Sequence, residues 1–145
     1  GKFISMKNSN ECGYTLIMST EIIGLSHLER EIIANVVRYN IRDFDYDMMQ
    51  LETEAGQDLA GVSDRTAITI LIAKLTAILR LANSMDKTHK SKLIDCRMAV
   101  REGQLVITTG YKGDLALESA SFEQKAAFFE EIFGIRPVLK QKRRV

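Results

Sequence analysis

Histidine and cysteine are scarce here, two of each in 145 residues. Neither pair is spaced for chemistry. His27 and His89 lie far apart, and no HxxxH, HExxH or CxxC spacing occurs. That excludes the common zinc signatures. Cys12 and Cys96 sit in apolar or strand-like settings, too few and too distant for a disulfide framework, and read as buried thiols of a cytoplasmic protein. The nucleophile elbow, the P-loop and the GxGxxG turn are missing as well. Formal net charge is only +1, so the whole chain has no general drive toward nucleic acid or membrane. No signal peptide is evident, and Lys74 and Arg80 interrupt the longest apolar stretch, so no membrane span is expected.

What is present is organised around residues 63–92, SDRTAITILIAKLTAILRLANSMDKTHKSK, with no Gly or Pro for some twenty residues. At 100° per residue Thr66, Thr69, Thr76, Arg80, Asn83 and Lys87 form one narrow polar stripe, with Ala73 in the gap. Ile68, Ile70, Leu71, Ile72, Leu75, Ile78, Leu79, Leu81, Ala82 and Met85 wrap most of the remaining circumference. These proportions predict a buried central helix capped by Ser63, roughly 30 Å long at 1.5 Å per residue.

Upstream, residues 11–21 carry apolar Tyr14, Ile17 and Met18 at helical spacing, with Gly24 as the expected stop. Ser26 and Glu29 form a capping box opening a second helix, with an apolar face of Leu28, Ile32, Val36 and Tyr39. Residues 41–62 read as a loop or short helical turns; Asp43, Asp45 and Asp47 read as a solvated acidic loop. Beyond Lys92 the pattern turns to strand. LIDCRMAV and QLVITTGY flank Arg101-Glu102-Gly103 as a hairpin, and LALES reads as a third strand. Ser121 is expected to cap a helix with Phe122, Ala126, Phe129 and Phe133 on one face, ended by Gly134, and IRPVLKQK to form a last strand. The fold class is therefore α+β, mainly α: a helical domain over 1–92 and a small β-β-β-α-β extension over 93–145.

The basic residues are the candidate chemistry. Lys87, His89 and Lys90 follow the central helix, Arg80 lies on its stripe, and Arg38 and Arg42 end the preceding helix. Cations at helix C-termini stabilise those ends whatever else they do. Together they could also bind phosphate, Arg as a bidentate fork and Lys as a point charge. No interleaved aromatics accompany them, so single-stranded nucleic acid is not indicated. Lys140, Lys142, Arg143 and Arg144 could add to such a phosphate-binding surface, but read in preference as a solvated tail.

Three runs, GYTLIMSTEIIGLSHLEREIIANVVRYN, KLTAILRLANSMDKTHK and DLALESASFEQKAAFFEEIFGIRPVL, together resemble the C-terminal region of the exopolyphosphatase / guanosine pentaphosphate phosphatase (Ppx/GppA) family. The resemblance implies a helical domain related to HD-type phosphohydrolases, followed by a small α+β extension. It further implies an actin-like N-terminal catalytic half using Mg²⁺, outside this chain, so that Gly1 begins a piece of something longer. In HD-type sites a His, a His-Asp pair and a distal Asp hold metal. Here the pair would fall upstream of Gly1, the following His-rich stretch corresponds to Ser9, Asn10 and Cys12, and the distal Asp corresponds to Asn83, with Asp86 and His89 beside it. Asn is a far weaker ligand than carboxylate for a hard cation. The implied role is a non-catalytic domain with no metal of its own, helping to hold inorganic polyphosphate or guanosine pentaphosphate and to build a homodimer. The competing expectations are a residual HD-type metal-dependent nucleotide phosphohydrolase and a pure interaction module.

Overall fold

The computed structural model describes residues 9–20, 24–40 and 62–142. In order these form α1 (Ser9–Ser19), α2 (His27–Tyr39), α3 (Val62–Met85), β1 (Cys96–Arg101), β2 (Gln104–Thr109), α4 (Ala116–Phe133) and β3 (Arg136–Gln141). The class is α+β, mainly α. Two compact units divide inside α3, Gly1–Thr76 and Ala77–Val145. The change from helical to strand pattern comes later, between Met85 and Cys96.

In the first unit α1 packs on α2. The expected capping box is present: Ser26 Oγ accepts from Glu29 N, and Glu29 Oε1 accepts from Ser26 N, each at 3.1 Å. That bonding holds the Glu29 carboxyl below its ordinary range, the Ser26 backbone N–H contributing most. α1 approaches α2 through Gly13, where an added Cβ would lie 2.7 Å from Val37 Cγ1. α1 ends at Ser19, earlier than Gly24, which instead takes φ 89° in the lead-in to Ser26. The α2 face differs from expectation: Glu31, Ala34 and Asn35 are its most buried residues, while Ile33 is exposed. Small Ala34 permits close approach and carries polar neighbours inward with it. Asn35 meets this by donating from Nδ2 to Glu31 O at 2.9 Å.

α3 corrects the expectation of a rod buried nearly all round. It is already helical at Val62, before the expected cap at Ser63, and ends at Met85, so that Lys87, His89 and Lys90 follow it as expected. Only a third of its apolar window is buried. Ile68, Ile72, Ala73 and Thr76 are buried in the first unit, and Ala77, Leu81 and Ser84 in the second. Ile70, Leu71, Leu75 and Ile78 are exposed. By length and composition alone 65–85 is long and apolar enough to cross a membrane, so Lys74 and Arg80 do not rule that out as expected. The partners of Ala77 and Leu81 show a helix packed in a mixed core.

That core belongs to the second unit: Ala77 and Leu81 of α3, Ile107 of β2, and Phe122 and Phe129 of α4. The hairpin β1–β2 turns through Glu102 and Gly103, both at positive φ (50° and 76°), as a two-residue turn of matching twist requires. β2 is central, antiparallel to β1 and parallel to β3, in the order β1-β2-β3. The parallel pair needs a crossover, which α4 provides. LALES is not a strand, so the extension is β-β-α-β. Its residues open α4, five positions before the expected cap at Ser121, which is buried inside the helix. Asp114 Oδ1 holds the start by accepting from Ala116 N at 2.9 Å. Ala, Leu and Glu are good helix formers, and no breaker separates them from the Phe-rich run. Gly134 closes α4 at φ 73°, its N–H reaching Glu130 O at 2.8 Å.

Candidate functional site

The chain leaves α3 through a tight basic turn. Asp86 N donates to Asn83 O at 3.2 Å and His89 N to Asp86 O at 3.0 Å. Ser91 N then donates to Asp86 Oδ1 at 2.9 Å. His89 and Ser91 both take left-handed backbone angles, φ 57° and 51°. Non-glycine residues there cost roughly 1–2 kcal/mol each. The Asp86 carboxylate offsets part of that cost by bridging the turn. Its outcome is exposure: Lys87, His89 and Lys90 all face solvent. Arg80, two turns up α3, is half-buried with its guanidinium 4.8 Å from the Phe128 ring centroid, and Asn83 is exposed. The structure thus brings Lys87, His89 and Lys90 together with Asp86.

Arg38 lies in the first unit and is already engaged. Its guanidinium carbon sits 3.4 Å above the Tyr14 ring and its Nε 3.2 Å from Glu11 Oε1, so it ties α2 to α1. Arg42 lies outside the described residues. Asn10 falls in α1, and Cys12, half-buried, is a free thiol two residues before Tyr14. His27 is bound to Arg30, Nδ1 to Nη2 at 2.7 Å. Among the described residues no three of His, Cys, Asp and Glu come together in a way that could hold a metal.

Two further features involve charged side chains. The first is a buried polar cluster behind the basic turn. Thr88 Oγ1 donates to Glu118 Oε2 at 2.8 Å, and Lys92 Nζ lies 3.3 Å from Glu118 Oε1 while donating to Asp114 O at 2.9 Å. Glu118 is fully buried. The Thr88 hydroxyl, with help from Lys92, holds its carboxyl below the ordinary range despite burial. Reading LALES as a strand hid this residue, whose place in the first turn of α4 aims it at Thr88. The second lies in the last strand expected over IRPVLKQK: Lys140 belongs to β3 and Lys142 follows it directly, its N–H donating to Thr109 O at 2.8 Å. Neither is part of a loose tail. Strand parity sets Lys140 in one row with Arg97 of β1, a signal present in the sequence once β3 is paired to β2.

Helices followed by a small mixed sheet, with cations at a helix terminus, define a mainly helical α+β domain whose exposed chemistry is basic. The family model for the Ppx/GppA phosphatase, domain III, matches residues 1–126. The chain belongs to the Ppx/GppA family, whose type of activity is exopolyphosphatase hydrolysis. The match ends inside α4, so β3 lies beyond it. No curated protein matches the chain.

Proposed function

We propose that this chain is a non-catalytic part of an exopolyphosphatase-type hydrolase, contributing contact with a polyanionic substrate and a surface for dimer formation. The observation that carries the reading is the turn after α3. Two non-glycine residues in left-handed conformation, Ser91 bonded to the Asp86 carboxylate and His89 to the Asp86 backbone carbonyl, are an arrangement that recurs where backbone strain serves binding. Lys87, His89 and Lys90 are exposed there. Arg80 extends the basic surface along α3. Arg38 enters only through α1 and α2, since Glu11 and Tyr14 already occupy it. Inorganic polyphosphate and guanosine pentaphosphate both present the charge such a surface needs. On this reading phosphoanhydride hydrolysis, with its Mg²⁺, belongs to an actin-like catalytic half, and the protein to the cytoplasm.

Titration of the chain with inorganic polyphosphate tests the reading. Binding that weakens steeply with salt and falls on Lys87→Ala with Lys90→Ala is expected. Absence of binding, or indifference to both salt and substitution, overturns it. Light scattering tests the dimer separately, where a monomer at all concentrations removes that part.

A further inference from the structure

Among the described residues the three-stranded sheet is packed on one face only. Leu105 and Ile107 of β2 and Leu139 of β3 meet the core residues of α3 and α4. Because side chains alternate along a strand, the neighbouring positions point the opposite way. Register then sets two rows of that second face. Arg97, Thr108 and Lys140 are cross-strand neighbours in one, and Ala99, Val106 and Val138 in the next. Arg101, four residues after Arg97, repeats the cation at the far end of β1. Arg97, Ala99, Arg101, Val106, Thr108 and Lys140, with Lys142, border a concavity of about 940 Å³ that no described helix covers.

The charge on this face is not neutralised. Among the described residues Arg97, Arg101, Lys140 and Lys142 make no ion pair, whereas Lys92 is paired with Glu118 and Arg136 with Glu123 and Glu130. Asp95 and Glu102 also line the concavity, so four cations stand against two carboxylates. Like charges gathered round one depression repel, and a bound anion relieves that repulsion. The spacing specifies an extended anion. Arg97 and Lys140 stand two strand separations apart, roughly 10 Å, and Arg97 and Arg101 roughly 13 Å apart along β1. One orthophosphate cannot engage all four cations at once across such a span, whereas a chain of linked phosphates can. Among the described residues no aromatic side chain lines the concavity, so bases would find no stacking platform there of the kind sheets use for single strands.

We propose that this open sheet face is a second binding surface for a chain of linked phosphates, with Arg97, Arg101, Lys140 and Lys142 as its cations and Thr108 and Gln104 as neutral donors between them. It rests on the polyanion reading above and extends it to a surface separate from the α3 turn. The test is calorimetric titration of the whole chain with sodium polyphosphate at several salt concentrations. Wild type is compared with Arg97→Ala/Lys140→Ala and with Lys87→Ala/Lys90→Ala, folding being checked by circular dichroism. The sheet pair is expected to weaken binding about tenfold at moderate salt and to flatten the salt dependence by roughly two counterions. Unchanged affinity in the sheet pair, with loss in the turn pair, overturns the sheet site and leaves the turn reading standing. No binding by the wild type removes both. A single-stranded oligonucleotide of equal charge that competes as well as polyphosphate overturns the assignment to bare phosphate chains.

Discussion

Lys92 Nζ lies 3.3 Å from Glu118 Oε1, a carboxylate whose side chain is 1% exposed, across 26 residues of chain. The pair pins the segment after α3 to the first turn of α4. Removing one partner from a buried pair strands the other without compensation, which costs far more than the pair contributes when whole. Lys92→Met is therefore expected to lower Tm by roughly 5–15 °C, by differential scanning calorimetry. A shift under two degrees would show the pair to be solvated.

Acid should undo the same contact. The folded Glu118 carboxyl titrates below its ordinary value, held down first by the Thr88 hydroxyl. Between that lowered value and the ordinary one, about 4.3, the unfolded chain binds more protons than the folded chain. The contribution is thus complete above about pH 5 and is lost as pH falls through the folded value. Glu29, lowered by the Ser26 bonds, adds with the same sign. Urea midpoints of wild type and Glu118→Gln are expected to differ most at neutral pH and to converge in strong acid. Parallel curves over the whole range would contradict this.

Gly13 has no room for a methyl group, since a Cβ there would meet Val37 Cγ1 at 2.7 Å. Val37 is β-branched and stiff, so it cannot swing aside cheaply. Gly13→Ala is expected to cost about 1–3 kcal/mol by urea denaturation, as overpacking does. Adding Val37→Ala should recover much of the loss. If the double variant is only the sum of two losses, the helices do not touch there.

Phe122 is 1% exposed at the centre of the second core. Truncation to Ala removes its contacts with that core and leaves a cavity. The expected loss is about 3–5 kcal/mol in urea. Phe122→Leu should cost less than half as much.

Arg38→Ala separates structure from anion contact. Its guanidinium stacks on Tyr14 and pairs with Glu11, so the expected result is a lower Tm with polyphosphate affinity within twofold of wild type. An unaltered Tm with a large loss of affinity would return Arg38 to the binding surface.

The sequence was most legible where one residue does one local job. Ser26 with Glu29, Gly134, and the turn at Glu102-Gly103 each carry a backbone requirement that few residue types meet, and each stands where it was expected. Phe122, Ala126 and Phe129 likewise marked the buried face of α4. Long-range packing was less legible. Apolar residues on nearly every side of α3 implied burial on every side, yet neighbours cover it only in part, because a pattern records what could be buried and not what arrives to bury it. LALES alternates well enough for a strand, and only its continuity with the Phe-rich run shows it to be helix. Lys87, His89 and Lys90 could be picked out as a local cluster, while Arg97 and Lys140 are joined only by pairing across β2.

The parallel pairing of β3 with β2 bears on how the chain is made. β2 gains its first neighbour within two residues through the hairpin, but its second only after α4 and Gly134 have been synthesised. Until Gln141 has left the ribosome, β2 has one open edge and Ile107 lacks its neighbour Leu139. Open edges recruit other strands, and slow non-local pairing prolongs the exposure. Translation that stalls within α4 would therefore release an adhesive intermediate rather than a shortened domain.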